Sequence, residues 1–542
     1  MTSDTWLIIY WGNILIHANH VTYQSLMHEK LLNLTQKLKC FETGEKMKNK
    51  ITQGFGGGNK AVSGEVIEWS DEFLDDHTVV THNIVYNRGH IPLYRAAFLA
   101  DHGVKAVLME KGGKNYHPLI LLTDAHVCAV AGIGSVNLCG KTVTVDSGEG
   151  IIYEGEILIT KEKETEPLET TINVYTNVGY PTAIEKAAKT ADGIGILRTE
   201  FTAVRTLSRI LTKKFQNTTV KEAIHQSNEA DVIYAIAKNE DLKEYLKNDL
   251  KQTIKNAVAY FGQKEIIVRT FDIPRRINEP MGNRGIRRCI AEGGGTIQLI
   301  AEAVKEVLRE NPANIGVILP LVSHYSQITH ALDIIMDTGL SLRKDKNALA
   351  INYGWEIEQP AASQNNELWL TAFTKEYGCP PHFIAIGTND LTQFTMALGR
   401  DVYAAEKSEK VRKYLRTLYN ESDFSVVRQI YEVSKQCSQF GTRVFLVGQA
   451  AADPHYAQLM FSFGITPSVA VDSVNSVKAL AHEFEKEKTP EKIVKDYIKA
   501  TCDKYPPKVR PYVRSTLLGL FGMEYYDDSF SWGKRYYFWS AK

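Results

Sequence analysis

Short apolar runs alternate with longer amphipathic stretches from Thr171 onward. The runs are typical of buried strands, and the stretches repeat apolar residues every three or four positions, as amphipathic helices do. The predicted strands are INVYTN, GIGILR, EIIVRTFD, IGVILPLV, LAINYGWEIE, HFIAIGT and RVFLVGQ, with SVAVD as a possible eighth. Seven or eight strand–helix units over about 310 residues predict a (β/α)8 barrel, which we expect to occupy residues 173–484.

The part of the chain before the barrel predicts a compact α/β domain over residues 54–158. It opens on GFGGGNKAVSG, whose glycines indicate a loop. Strand-like runs follow at GEVIEW, HTVVTH, KAVLME, KTVTVDS and GIIYEGEILIT, and a helix is predicted over Tyr94–His102. The pattern therefore predicts two α/β domains in succession.

Three segments outside these domains are less informative. Residues 1–53 predict a helical or irregular N-terminal segment, and residues 485–542 a C-terminal tail that begins as a helix. The charged stretch KEKETEPLET predicts a linker over residues 159–172, although a solvated helix face would explain its composition equally well. We assign no role to the N-terminal segment or to the tail.

Composition narrows the class of protein. Of 542 residues, 44% are hydrophobic and 23% are charged, which is typical of a globular protein. Lys and Arg together number 63, as do Asp and Glu, so the formal net charge is zero and disfavours a non-specific nucleic-acid binder. The sequence contains no apolar run near the length of a membrane span, and Asp4 argues against a signal peptide. Its seven cysteines form no C-x-x-C pair, which favours a reduced, cytoplasmic protein.

Polar residues close several of the predicted barrel strands, where the chemistry of this fold resides. The carboxylates of Glu358 and Asp390 suit Mg²⁺ or Mn²⁺, which bind through one or two carboxylates and keep positions for substrate oxygens. Three arginines at or just beyond strand ends suit phosphate and carboxylate groups: Arg198, Arg269 and Arg284. The pattern predicts a site for a small, multiply anionic substrate beside a metal ion. Structural salt bridges at the barrel mouth are the alternative.

Four segments resemble the phosphoenolpyruvate-utilising enzymes: GIGILRTEF, VRTFD, WEIEQPAA and IGTNDLTQFTMALGR. That family includes enzyme I of the bacterial sugar phosphotransferase system, phosphoenolpyruvate synthase and pyruvate phosphate dikinase. The resemblance implies that Glu358 and Asp390 hold the divalent metal. It also implies that the phosphate and carboxylate of phosphoenolpyruvate bind to Asn389, Arg198, Arg269, Arg284 and Arg400. The segment around Arg284, NEPMGNRGIR, is one residue shorter than the family pattern.

Members of this family carry a phosphoryl group on a histidine of a swivelling α/β domain, within a G-G-x-T-S-H segment. His117 follows Gly112 and Gly113 at the family's spacing, and the AVAG segment that ends at Gly132 also fits. Two flanking segments, GFGGGNKAVSGEV and VTVDSGEGIIYEGE, resemble the opening and closing segments of that domain. The resemblance therefore implies that His117 is the phosphohistidine and that His126 is structural. A neutral imidazole nitrogen can attack phosphorus and later release the phosphoryl group.

The sequence departs from the family pattern at positions that bear on the chemistry. Asn115 and Tyr116 replace Thr-Ser before the histidine, and Thr123 replaces an arginine six residues after it. Val447, in FLVGQAAADP, stands where the family has a cysteine that exchanges a proton with the methylene carbon of the substrate. Because valine carries no exchangeable proton, we expect formation of phosphoenolpyruvate from pyruvate to be impaired. Phosphoryl transfer from phosphoenolpyruvate needs no such group.

The resemblance leaves three functions open. The first is a Mg²⁺-dependent phosphotransferase that moves a phosphoryl group between phosphoenolpyruvate, or a close analogue, and an acceptor or phosphocarrier protein through His117. The second is one half of a split synthase or dikinase that is loaded by a separate ATP-grasp subunit, because no segment of the chain resembles such a domain. The third is a non-catalytic sensor or scaffold, which the departures favour and the retained ligand set opposes. The resemblance also implies a homodimer. The absence of a long apolar run and the zero formal charge predict neither a membrane nor a nucleic-acid partner.

Overall fold

The computed structural model of the chain describes residues 49–113, 116–159, 168–212, 229–273, 283–343, 349–399, 408–448, 450–487 and 490–523. Most of the predicted N-terminal segment and of the predicted linker lie outside these residues, as does the end of the tail. The described strands form two sheets. No helix in the described part of the chain combines the length and the apolar character that a membrane crossing needs.

The first sheet has eight strands and is mixed. Its strands are β1 (Lys50–Gln53), β2 (Phe55–Gly57), β3 (Ala61–Glu68), β4 (Ile84–Asn87), β5 (Ala106–Met109), β6 (Cys128–Ala131), β7 (Thr142–Asp146) and β8 (Ile151–Glu154). They lie in the order β1-β8-β7-β3-β4-β5-β6-β2, in which β3 to β6 are parallel and the other pairs antiparallel. Helix α1 (Leu93–Asp101) connects β4 to β5, and helix α2 (His117–Asp124) connects β5 to β6. Such crossovers are what parallel neighbours require.

One predicted strand of this domain is wrong. Residues HTVVTH contain a short 3-10 helix, His77–Val79, and the strand of this region is β4. The Asp76 side chain accepts a hydrogen bond from the backbone N–H of Thr78 at 3.1 Å, so it caps a helical turn instead. His82 then adopts a left-handed backbone with φ of 68°, which an extended run does not tolerate.

Eight parallel strands close into a barrel, which confirms the predicted fold class. They are β9 (Tyr175–Val178), β10 (Ile194–Arg198), β11 (Ile266–Arg269), β12 (Ile315–Leu319), β14 (Ala350–Ile357), β15 (Phe383–Gly387), β16 (Arg443–Val447) and β17 (Thr466–Ala470). The short strand β13 (Ser341–Leu342) pairs only with the beginning of β14 in the described residues. Strand β12 pairs with β14, and β17 returns to β9, so the barrel is complete. All seven predicted strands and the possible eighth are present.

Helices surround the barrel and form the described part of the tail. They are α3 (Pro181–Ala188), α4 (Thr199–Leu211), α5 (Glu229–Ile236), α6 (Glu240–Phe261), α7 (Gly285–Ala291), α8 (Gly295–Glu310), α9 (Tyr325–Asp337), α10 (Pro360–Gln364), α11 (Asn366–Tyr377), α12 (Thr388–Met396), α13 (Glu409–Leu418), α14 (Phe424–Phe440), α15 (Pro454–Ser462), α16 (Val474–Glu487), α17 (Pro490–Cys502) and α18 (Arg510–Leu520). The tail packs back on the barrel helices, where the Phe521 and Phe463 rings stack with centroids 5.7 Å apart.

Burial explains why these segments adopt these elements. Strand β12 is buried at every position, as expected for a parallel strand that is covered on both faces. Helix α8 buries Ile297, Ile300, Val304 and Val307, which recur on one face at helical spacing. The strand runs and the helical stretches therefore bury complementary apolar surfaces against each other.

An ion pair and two aromatic rings close the barrel at the amino ends of its strands. Arg443, at the start of β16, pairs with Glu265, just before β11, through two nitrogen–oxygen contacts of 2.7 Å each. Above this pair, the Tyr175 and Phe445 rings fill the barrel interior with their centroids 4.8 Å apart. This packing leaves the carboxyl ends of the strands as the end of the barrel where a ligand can enter.

The first domain packs over that open end. Asp101, at the end of α1, accepts hydrogen bonds from the Arg205 Nε of α4, at 2.9 and 3.0 Å, and from the Tyr180 hydroxyl. Helix α2 lies at the barrel mouth, where its first residue, His117, lines a cavity together with barrel side chains. The docked arrangement thus brings the two domains to a shared site.

Candidate active site

A cavity at the carboxyl ends of the barrel strands collects seven of the eight predicted site residues. They are His117, Arg198, Arg269, Arg284, Glu358, Asn389 and Asp390. The eighth, Arg400, lies outside the described residues. Val447 lines the same cavity. His117 and Val447, which are 330 positions apart in the sequence, therefore meet in one space.

Strand ends hold most of these side chains in place. Arg198 and Arg269 are the last residues of β10 and β11, and Glu358 directly follows β14. Asn389 and Asp390 lie in the first turn of α12, which begins where β15 ends. Because the carboxyl ends of parallel strands share one rim of the barrel, these five residues converge.

The arginines are buried among carboxylates. The Arg284 guanidinium forks onto Asp272, with Nε at 2.9 Å and Nη2 at 2.6 Å from the two carboxylate oxygens, while its Nη1 lies 3.1 Å from Asp390 Oδ1. Burial alone would raise the pKa of Asp272, but the charge and hydrogen bonds of Arg284 outweigh it and hold that pKa well below its usual range. Arg284 is thereby fixed in orientation.

Arg269 has its own set of buried acidic partners. Its Nη2 bonds to Glu200 and its Nη1 lies 3.4 Å from Glu356 Oε2. Burial raises the pKa of Glu200 and of Glu356, although the charge of Arg269 acts in the opposite direction. The two ion pairs hold the guanidinium at the cavity wall, since the side chain has little solvent around it.

Backbone groups fix the carboxylate of Glu358. Its Oε2 accepts a hydrogen bond of 2.8 Å from the backbone N–H of Leu321, whose φ of 53° is unusual for a non-glycine residue. On the other side is Gly387, where a Cβ would lie 2.6 Å from Glu358 Oε1. Burial, then the negative charges of Glu356, Asp390 and Asp272, raise the pKa of Glu358 well above its usual range.

The donor set fits a hard divalent cation. Glu358 and Asp390 offer carboxylate oxygens in one cavity, and a cation beside Glu358 would offset the negative charge that raises its pKa. Within the described ranges, no group of three or more His, Cys, Asp or Glu side chains is arranged to hold a metal ion by itself. Mg²⁺ and Mn²⁺ commonly use one or two carboxylates and complete their coordination with water and substrate oxygens, so two protein ligands are consistent with either ion.

A match to a family model identifies the protein family to which this site belongs. The model described as "PEP-utilising enzyme, PEP-binding domain" matches residues 154–486, which is more than half of the chain. The chain belongs to the phosphoenolpyruvate-utilising enzyme family. Its match covers the barrel and every barrel residue of the cavity.

Curated relatives agree with this assignment. The phosphoenolpyruvate synthase of Pyrococcus furiosus is 30% identical over 413 residues, which cover 70% of this chain and 45% of that protein. The probable phosphoenolpyruvate synthase of Pyrococcus abyssi is 31% identical over 70% of this chain and 45% of its own length. This chain thus spans about half the length of the curated relatives it matches. Among solved structures, a malate synthase of Haloferax volcanii has 12% identity and a TM-score of 0.32 over 67% of this chain and 92% of its own, a similarity too weak to bear on function.

Three further polar residues line the cavity of this family member: Asn177, Asp272 and Glu356. The sequence marks Asp272 as a charged residue that closes an apolar run but assigns it no role, and the other two were not predicted. Glu356 could have been found from the sequence, because it lies on β14 two residues before Glu358, which directly follows that strand, and this spacing in an extended chain puts both side chains on the same side. Asn177 is the next-to-last residue of β9 and Asp272 lies three residues beyond the end of β11, so proximity to a strand end also marks these two. Asp272 carries the buried fork with Arg284, so it orients a predicted ligand.

The two candidate histidines have different surroundings. His117 is the first residue of α2 and lines the cavity. His126 follows the helix with φ of 59°, and its carbonyl accepts a hydrogen bond from the Lys60 ammonium. His126 is not among the residues that line the cavity. The assignment of His117 as the phosphohistidine stays a prediction, and the geometry around it is compatible with that role.

The altered segment before His117 has a packing role. Asn115 lies outside the described residues, while the Tyr116 hydroxyl is buried, accepts from Ile91 N–H at 3.0 Å and donates to Ile91 O at 3.1 Å. Gly112 has φ of 122°, and a Cβ there would lie 2.5 Å from the Tyr116 ring. Tyrosine and glycine therefore fit each other, and together they support the start of α2.

Proposed function

We propose that this chain is a phosphotransferase that moves a phosphoryl group between phosphoenolpyruvate, or a close analogue, and an acceptor or phosphocarrier protein by way of His117. One observation carries the proposal: His117 from the first domain and the anion-binding set from the barrel line the same cavity. Membership in the phosphoenolpyruvate-utilising family and similarity to phosphoenolpyruvate synthases support the choice of substrate.

Different side chains of the cavity would bind different groups of the substrate. Arg198, Arg269 and Arg284 would bind the phosphate and carboxylate groups, because planar guanidinium forks match both anions. Asn389 would donate from its amide at the same rim. The buried pairs of Arg269 and Arg284 with carboxylates keep these guanidinium groups oriented before substrate arrives, so little reorganisation is needed on binding.

In the proposed transfer, the imidazole of His117 is the nucleophile. A neutral ring nitrogen attacks phosphorus, a nitrogen–phosphorus bond forms, and the bond between phosphorus and the enol oxygen breaks with its electron pair leaving on the enolate. A solvent proton then converts the enolate into pyruvate. The phosphorylated ring releases its N–H proton to solvent. When the phosphoryl group passes to an acceptor, the proton that the acceptor gives up returns to the ring and regenerates the neutral imidazole.

Glu358 and Asp390 are the residues that would hold Mg²⁺ or Mn²⁺. When bound there, the cation would offset the charge that the phosphoryl and enol oxygens carry during transfer. The hydrogen bond from Leu321 N–H and the space beside Gly387 support an oriented Glu358 carboxylate for this purpose.

A second candidate is the reverse direction, in which a separate nucleotide-binding subunit loads His117 and the barrel converts pyruvate to phosphoenolpyruvate. The names of the similar proteins favour it. Val447 on the cavity wall disfavours it, because the methyl group of pyruvate must lose a proton and valine cannot accept one. Protein loaded with phosphate, freed of donor and mixed with pyruvate would yield phosphoenolpyruvate only if this second candidate holds.

A burst experiment tests the proposed function. Phosphoenolpyruvate and Mg²⁺ are mixed with concentrated protein, and pyruvate is followed through lactate dehydrogenase and NADH. We expect a rapid release of pyruvate equal in amount to the protein, unchanged in His126→Ala and absent in His117→Ala. A burst that persists in His117→Ala, or no burst in the wild-type protein, would overturn the proposal for this donor.

A further inference from the structure

Helix α2 carries two chemically important side chains on one face. His117 is its first residue and Asp124 its last, so they are seven positions apart. Seven residues make nearly two full turns, which puts both side chains on the same side, about 10 Å apart along the axis. Ile120 lies between them on this face and lines the cavity beside His117. The face that presents His117 is therefore also the face that presents Asp124.

Asp124 pairs with a predicted substrate-binding residue of the barrel. Its Oδ2 lies 3.1 Å from Nη1 of Arg198, the last residue of β10, and the Asp124 side chain is only 4% exposed. A guanidinium has five N–H donors in a planar fork, and this contact uses one nitrogen. Arg198 can therefore hold Asp124 and bind an anion in the cavity at the same time.

A second cavity extends from the first one along α2. It is lined by the glycine-rich Gly56–Gly58 segment, by Thr123 and Asp124, and by barrel residues that include Asp472. Arg198 and Asn389 line both cavities. The ion pair of Asp124 and Arg198 thus stands at the junction, where the first domain and the barrel would separate if α2 moved away.

The pair is poorly explained as a source of stability. Burial raises the pKa of Asp124 to about 6, even though Arg198 acts to lower it. The charges of Asp472 and Glu200 add to the increase. A buried ion pair whose attraction does not repay desolvation contributes little to folding, but it does impose a defined geometry on the two elements it joins.

We propose that Asp124 is a positioning residue that docks α2 on Arg198 and thereby holds His117 over the anion bound in the barrel. The inference rests on the proposed function, which it deepens by naming the contact that aligns the two reacting groups. The opposite role would be a substrate mimic that occupies Arg198 and blocks anion binding. The two roles predict opposite effects on the transfer rate.

The variant Asp124→Asn keeps the shape and removes the charge. Glu65→Gln is the matched control, because Glu65 is an exposed carboxylate on β3 of the same domain. We expect the single-turnover rate of His117 phosphorylation by phosphoenolpyruvate to fall about 10- to 100-fold in Asp124→Asn, as misalignment of reacting groups does. The dissociation constant for phosphoenolpyruvate should stay within about threefold, since Arg198 keeps its other donors. Asp124→Glu, which restores the charge, should recover part of the rate.

Other results would overturn the inference. An unchanged rate would show that the pair does not align the groups, and a faster rate would identify Asp124 as a substrate mimic. A weaker binding constant that accounts for the whole loss in rate would mean that Asp124 builds the barrel site rather than docks α2. A failure of Asp124→Glu to exceed Asp124→Asn would remove the charge as the cause.

A second readout separates this inference from the proposed function. If the wild-type protein takes no phosphate from phosphoenolpyruvate, the proposed function fails for that donor, but docking can still be measured. Hydrogen–deuterium exchange of peptides that cover residues 117–124 and 194–200 should be faster in Asp124→Asn than in Glu65→Gln. Equal exchange in both variants would contradict a docking role for Asp124.

Discussion

At the scale of single residues, the side chain of Val447 offers no exchangeable proton to the cavity. Val447 ends β16, is buried, and lines the cavity beside Gly448. We predict that Val447→Cys gains exchange of the pyruvate methyl protons with solvent, by about tenfold or more over the wild-type protein, because a thiol can accept and return a proton where valine cannot. Proton NMR of pyruvate in D₂O with Mg²⁺ measures this exchange.

The control for that experiment is Val444→Cys. Val444 is a buried residue at the other end of the same strand and is not among the residues that line the cavity. Exchange in Val444→Cys should match the wild-type protein. If the wild-type protein already exchanged these protons as fast as Val447→Cys, another group in the cavity would supply the proton and the role given to Val447 would be wrong.

Asp124 makes stability depend on pH. Its pKa in the folded protein is about 6, raised by burial from an ordinary value of 3.8, so the folded chain binds this proton more tightly than the unfolded chain. Its contribution to stability is therefore present below about pH 4 and is lost as the pH rises through about 6. Asp124→Asn has no such proton, and we expect it to unfold at a higher temperature than the wild-type protein at pH 7.5, by about 1–3 kcal/mol.

Melting curves of both proteins between pH 4 and pH 8 test this dependence, with Glu65→Gln as the variant that should track the wild-type protein. The difference between Asp124→Asn and wild type should shrink toward pH 4. A difference that stays constant over this range would show that Asp124 does not titrate there. If Asp124→Asn is more stable than the wild-type protein and yet transfers the phosphoryl group more slowly, then Asp124 serves to position His117 and not to stabilise the fold.

Most of the charged residues that line the barrel cavity could be predicted residue by residue, and their partners could not. Arg269 and Glu358 each lie at or just after the end of an apolar run in the sequence, so position alone marks them. Asp124 carries no such mark, because its partner Arg198 is 74 residues away and only docking of two domains brings them together. Long-range pairs of this kind leave no local pattern.

At the scale of elements, the turn from β15 into α12 leaves the space that the carboxylate of Glu358 occupies. Gly387 ends β15, and a Cβ there would lie 2.6 Å from the Cγ and Oε1 atoms of Glu358. We predict that Gly387→Ala displaces this carboxylate and weakens Mn²⁺ binding about 10- to 100-fold, as loss of ligand orientation does at metal sites. Electron paramagnetic resonance of free Mn²⁺ measures the affinity without any turnover.

Gly519→Ala provides the matched control for the glycine substitution. Gly519 lies within α18, and no atom comes within 4 Å of a Cβ built there. The control should bind Mn²⁺ like the wild-type protein and should be slightly more stable, since alanine favours a helix over glycine. Equal Mn²⁺ affinity in Gly387→Ala and the control would contradict the assignment of Glu358 as a ligand.

Element prediction succeeded where periodicity was long and failed where capping intervened. Helix α8 extends over sixteen residues with a regular apolar face. HTVVTH offered only a few apolar residues, and the Asp76 side chain caps a helical turn there. In a segment of that length, a single side-chain hydrogen bond was enough to determine the backbone conformation.

At the scale of the whole molecule, the first domain is held on the barrel far from the cavity as well as near it. Asp101 is paired with Arg205 and with the Tyr180 hydroxyl, and burial, then the charge of Asp101, raises the pKa of Tyr180 well above its usual range. We predict that Asp101→Asn slows phosphorylation of His117 about tenfold by weakening docking, because one charge of a largely buried pair is lost. Mn²⁺ affinity should not change, since Asp101 is not among the residues that line the cavity with Glu358.

Glu491→Gln is the control for this variant, because Glu491 forms an exposed pair with Lys495 on α17 and leaves the interface intact. Small-angle X-ray scattering should show a larger maximum dimension for Asp101→Asn than for Glu491→Gln. Identical scattering and identical rates would mean that the Asp101 contacts are not needed for docking. The two-domain order was predictable from the sequence, whereas this interface was not, because Asp101 and Arg205 belong to different domains and different local patterns.

The most direct test of the central claim is the intact mass of the protein after incubation with phosphoenolpyruvate and Mg²⁺, before and after brief acid treatment. The account predicts a single added phosphoryl group, which acid removes because a nitrogen–phosphorus bond is acid-labile, and no addition in His117→Ala. His126→Ala should take up phosphate like the wild-type protein. An adduct that survives in His117→Ala, or the absence of any adduct in the wild-type protein, would contradict the claim that His117 accepts the phosphoryl group of phosphoenolpyruvate.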